Sequence, residues 1–277
     1  MSVGTLWSKK YYTAPIDYLN STFIREYDIS KADISVLLSK GQITQEQFNF
    51  LYRIPSINRN TYMGLLQRDN PELKKILSNG IEEVKKLFFE TNNIEDSQVL
   101  SIKNDAIFLI DKVATTKTFG IVTFKEKNVY TSFYKLSRKY NKEFYYYINR
   151  VTGEERLDIK GMNKESIELH KDYFIDFLTV LFNSIELFPI ADTIELIQSF
   201  YNQYINMELP INYYRKFDQY SGFDTNLKTP ILEQRYIMKY LSEEHREMVN
   251  ISYNLSIILE LYRMVSTMYF SKARQKK

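Results

Sequence analysis

The chain has 277 residues, 44% hydrophobic and 26% charged, the balance of a folded protein rather than a disordered tail, and its net charge of +3 does not by itself name a polyanionic partner. Only 8 glycines, against a usual share of roughly 7%, with no GxxxxGK[ST] and no GxGxxG, disfavour a P-loop enzyme or a dinucleotide-binding fold. Zero cysteines exclude disulfides, thiolate metal sites and a cysteine nucleophile, and two histidines, His170 and His245, argue against a histidine zinc site or a Ser-His-Asp triad.

The opening MSVGTLWSKKYYTAP has no apolar stretch after its charges and does not read as a secretory signal. The greasiest run, Phe174 to Ala191, carries Asp176, Asn183 and Glu186, which argues against a membrane span. The expectation is a soluble, cytoplasmic-type protein with no membrane partner. Any enzymatic activity must then use carboxylates, lysines, arginines or a hard metal.

In chain order, TFIREYDI (22–29) is rich in β-branched and aromatic residues and predicts a strand. Ser30-Lys31-Ala32-Asp33 has the S-x-x-D pattern of a capping box, predicting a short helix over 31–40 with Gly41 as its stop. Thr44 to Gln47 repeats the signature for a second helix ending before Pro55. Asn70-Pro71 starts a third, whose apolar residues from Leu73 to Phe88 recur on one face to about residue 91, with Asn79-Gly80 as a weak point. VLSIK (99–103), Asn104-Asp105 and AIFLI (106–110) form two apolar arms around a polar turn and predict a β-hairpin.

From Thr118 to Lys160 the runs TFGIVTF, NVYTSFYKL, EFYYYINR and ERLDI predict a small antiparallel meander, with KEKN, SRKYNK and VTGE as its turns. Beyond Asn163 the pattern is helical, over 164–187, 191–207, 229–241 and 242–272, followed by a short basic tail. The fold class expected is α+β: an antiparallel sheet with helices over 1–115, a β meander over 116–162 and an all-helical portion over 163–277.

Asp28 lies at the exit of the first strand and Asp105 at the tip of the hairpin. If that strand pairs beside the hairpin, both carboxylates project from one sheet edge. Two close carboxylates repel unless a cation sits between them. Mg²⁺ suits such a place because it takes oxygen ligands and keeps waters and phosphates. A pair of such ions aligns an attacking hydroxyl with a leaving pyrophosphate.

REYDISKADISVLL and VLSIKNDAIFLI resemble the first and third motifs of the palm domain of template-dependent polymerases, reverse transcriptases and DNA polymerases among them. The resemblance implies a palm-like sheet in which Asp28 and Asp105 hold two Mg²⁺ ions and catalyse nucleotidyl transfer on a primer–template. It implies a thumb in the helical portion, with Lys160 in GEERLDIKGM approaching the primer. Arg59, Arg68, Lys74 and Lys75 lie where nucleotide-binding fingers are expected, and a partner polymerase subunit is expected to supply the rest. Asp105 is flanked by Asn104 and Ala106 rather than by a second aspartate, a departure from reverse transcriptases.

Each feature has a plainer reading. Aspartate is common at turn tips and at helix starts. Asp33 either senses the sugar or closes a capping box with Ser30. Tyr130 and Tyr134, with Lys125 and Lys127, either stack bases and follow phosphates or simply build strands. The alternative function is a non-catalytic nucleic-acid-binding or structural assembly protein of viral type.

Overall fold

The computed structural model describes residues 3–20, 22–135, 142–161, 167, 171, 175–206, 208–210, 213 and 258–267. His170, His245, Arg138, Lys139, Tyr140, the expected helix over 229–241 and the basic tail lie outside the described residues. The fold is α+β, with two antiparallel sheets. The chain divides into two compact units, Met1–Ile16 with Thr22–Tyr130, and Asp17–Ser21 with Thr131–Lys277.

In the first unit β3 (Ile24–Ile29) is central. It pairs on one side with β5 (Ala106–Ile110), the second arm of the hairpin begun by β4 (Val99–Lys103), and on the other with β7 (Val122–Tyr130). The outer strands are β1 (Tyr11–Thr13), beside β4, and β6 (Thr118–Phe119), beside β7. The order is β1-β4-β5-β3-β7-β6. Gly120, at φ +61, makes the tight corner between β6 and β7, so TFGIVTF is two strands rather than one. KEKN is not a turn: Lys125 to Asn128 run through the middle of β7 and pair with β3.

Among the described residues four α-helices complete this unit: α1 (Ala32–Ser39), α2 (Gln45–Arg53), α3 (Ser56–Asp69) and α4 (Pro71–Asn92). Thr44 and Gln47 form the expected capping box of α2, and the Asn70 side chain accepts from Leu73 N–H to cap α4. Gly80 does not interrupt α4. A Cβ there would collide with Val36 Cγ1, so the missing side chain lets α1 lie close against it. Phe88 of α4 stacks on Phe124 with centroids 4.1 Å apart and packs against Tyr27 in the core beneath the sheet.

The second unit builds its sheet in the order β10-β9-β8-β2 from β2 (Tyr18–Leu19), β8 (Ser132–Lys135), β9 (Glu143–Ile148) and β10 (Glu155–Lys160). The expected meander is thus divided: its first strands complete the first sheet and its later strands open the second. Helices α5 (Asp176–Leu187) and α6 (Ile190–Ile205), with helical residues 258–267, share the second core with Tyr134, Phe144 and Tyr146. Phe182 stacks on Tyr134 at 4.4 Å, and Phe177 on Phe200.

Candidate functional site

Side chains alternate along β3, so Tyr27 and Ile29 enter the helix-side core while Glu26 and Asp28 take the alternate positions. Asp28 stands opposite Ala106 of β5 and Lys125 of β7. The hairpin tip is pinned from two sides. Ile29 N–H donates to Asp105 C=O at 3.2 Å, and Asn104 N–H donates to Lys10 C=O at 2.7 Å. Asn104 takes the left-handed φ of 58° that closes a two-residue turn. Strand pairing therefore delivers the two aspartates, distant in sequence, to one cavity of about 470 Å³.

Both carboxyls are held above the usual aspartate range. Burial is the largest cause for each, and for Asp28 the negative charge of Asp105 adds to it. Four cations line the same cavity: Lys10, Lys31, Arg59 and Lys74. Arg59 is only 9% exposed, and its Nε has no hydrogen-bond partner, although the Asp33 carboxylate lies 3.7 Å away. Lys31 is held below the ordinary lysine range, by burial first and then by the charges of Arg59 and Lys125. A buried guanidinium with an unused donor has capacity for a further acceptor.

Asp33 does not close a capping box. Ser30 N–H is bonded to Thr123 C=O, Lys31 turns the corner at φ 49°, and α1 starts at Ala32 with no side-chain cap. Asp33 instead lines the cavity beside Arg59.

Lys125 is exposed and faces Asp28 across the ladder. Lys127 turns to carboxylates, with Nζ 3.6 Å from Asp28 and 3.8 Å from Glu26. Arg68 lies outside the cavity, exposed and paired with Asp69 at 3.0 Å. Tyr130 and Tyr134 are fully buried and offer no ring face to a base: Tyr130 O–H donates to Glu26 Oε2, and Tyr134 is a core ring. Tyr145 and Tyr146 are buried as well, and Lys142 Nζ donates to Gly161 C=O. Of the aromatic–lysine sheet surface expected from the sequence, these tyrosines are interior while Lys125 and Lys127 stay exposed. Lys160 belongs to the second unit, where its Nζ lies 2.8 Å from Asp158.

Sequence patterns did not single out Lys10 or Lys31. Lys10 reaches the cavity because β1 pairs with β4 in the register Tyr11 opposite Lys103, and Lys31 because it forms the strand-to-helix corner. Neither device leaves a motif. Among the described residues no three acidic or histidine side chains converge as a ready-made ligand set. The acidic pair would leave water and phosphate to complete the shell of a hard cation. No helix among the described residues is long and apolar enough to cross a membrane.

These observations define an α+β protein whose first unit opens a cavity lined by carboxylates and cations. The family model described as Bacteriophage PBS1 gene 130 protein matches residues 1–267, and the chain belongs to that family. No curated protein matches the sequence.

Proposed function

We propose that this protein carries out palm-type nucleotidyl transfer, joining the α-phosphate of a nucleoside triphosphate to a 3′-hydroxyl on a primer–template while the α–β phosphoanhydride bond breaks, pyrophosphate leaves and the hydroxyl proton passes to water. The observation that carries this reading is the meeting of Asp28 and Asp105 in a cavity whose other walls bear Lys10, Lys31, Arg59 and Lys74. Acidic floor and basic wall are the complementary halves of a site for a metal-bound polyphosphate.

Asp28 and Asp105 would hold Mg²⁺, and their raised proton affinity fits a pair that gains from a shared cation. A divalent ion bound there supplies charge neutralisation and aligns the attacking and leaving oxygens. Arg59 and Lys74 take the phosphate oxygens, and Lys31 and Lys10 add positive charge around them. Asp33 holds Arg59 until phosphate replaces it. No protein nucleophile is required, in keeping with a chain without cysteine. Contact with primer–template falls to Lys125 near the mouth rather than to the buried tyrosines, and a partner subunit supplies further fingers.

The test is primer extension by purified protein with triphosphates and Mg²⁺ or Mn²⁺. Asp28→Asn and Asp105→Asn should each lower extension on the order of a hundredfold or more. Extension that survives both substitutions rejects these residues as the site. Wild-type protein that binds primer–template without extending it favours the non-catalytic reading instead.

A further inference from the structure

β7 carries one residue more than its ladder with β3 requires. Glu26 faces Asn128 and Tyr27 faces Glu126, which leaves Lys127 as the extra residue of a β-bulge. The bulge sends two consecutive side chains to the same carboxylate. Lys127 Nζ lies 3.8 Å from Glu26 Oε1, and Asn128 Nδ2 donates to Glu26 Oε2 at 2.6 Å. Glu126, one residue earlier, points the other way and accepts from Tyr27 O–H and Arg25.

The two carboxylates that Lys127 reaches are unlike. Glu26 is 1% exposed and is also held by Tyr130 O–H at 3.0 Å, so it is fixed whether or not the ammonium is near. Asp28 lines the cavity and stands beside Asp105. Lys127 itself is half exposed, and at 3.6 and 3.8 Å its ammonium sits astride the pair without a short bond to either.

We propose that Lys127 is a tethered cation shared between Asp28 and Glu26, which competes with a divalent ion for Asp28 and withdraws onto Glu26 when that ion binds. The proposal rests on the metal pair described above and adds the control of its affinity. A positive charge held at Asp28 weakens the field that a divalent ion meets there. A buried glutamate that keeps two other donors gives the displaced ammonium a place to go. A lysine that served only to neutralise Glu26 would have no effect on the metal.

Mn²⁺ affinity of the full chain, read by the electron paramagnetic resonance signal of free Mn²⁺, tests this without any turnover. Lys127→Gln should bind Mn²⁺ about tenfold more tightly than wild type, Lys127→Arg should bind as wild type does, and Asp28→Asn should bind weakly. Lys127→Met is a second charge-removing variant should the glutamine form fold poorly. Equal or weaker binding by the charge-removing variants, with binding still abolished by Asp28→Asn, overturns the lysine's role and leaves the metal pair standing. No Mn²⁺ binding by any of the proteins overturns both.

Discussion

The two sheets are built from similar residues and use them in opposite ways. In the second unit the aromatic-rich strands β8 and β9 turn Phe133, Tyr134, Phe144, Tyr145 and Tyr146 into a core, where Tyr146 O–H donates to Glu155. In the first unit Asp28, Asp105 and Arg59 are brought to the wall of an open cavity, and the Arg59 Nε is left without a hydrogen-bond partner. The contrast teaches that tyrosine and lysine enrichment says little about ligands. What matters is which polar groups the folded chain leaves facing open space.

The strongest way to break the contrast is to remove a tyrosine proposed from sequence as a base-stacking group. Tyr134→Ala should cost about 3–5 kcal/mol of unfolding free energy, as loss of a buried ring does, seen in denaturant melts. It should act on stability and not as a lost nucleic-acid contact. Gly80→Ala, in the first unit, should cost about 1–3 kcal/mol because α1 must move off α4. Chemical denaturation measures it, and an unchanged midpoint would deny the close approach.

Arg59→Met tests the cavity of the first unit. It should weaken triphosphate binding about tenfold or more, measured by calorimetry, while leaving the melting temperature near that of wild type. A loss of stability without a loss of binding would make Arg59 a structural partner of Asp33. The smallest effect is that of Asp105→Asn on stability. A carboxyl whose proton affinity is raised by folding withdraws stability as pH rises through its folded pKa. Without metal, the variant should therefore melt above wild type at pH 7. The gain should vanish below pH of about 4, where the group is protonated in both states. Scanning calorimetry across pH decides it.

The parts of this unit legible in the sequence are those where local pattern and tertiary role agree. Apolar arms around Asn104-Asp105 can hardly form anything but a hairpin, and Asn70-Pro71 ahead of a helical apolar stripe marks α4. Helix α3 was not legible, because it buries only Arg59 and Met63 and so lacks a stripe to read. KEKN has the composition of a turn because its side chains face ion partners and solvent, while its backbone stays in the ladder. The site was half legible. Two strand-borne aspartates can be inferred from position, but the cations opposite them arrive from β1, the α1 corner, α3 and α4, and only folding brings these together.

The amino-terminal segment deserves to be treated as part of the site rather than as a leader to it. Lys85, buried in α4, donates to Lys9 C=O at 2.7 Å, Asn104 N–H donates to Lys10 C=O, and the Lys10 side chain lines the cavity. Trimming the chain to start at β3 would strip one wall charge, orphan the Lys85 ammonium and unmoor the tip that carries Asp105, so a shortened protein would be a poor proxy for the whole.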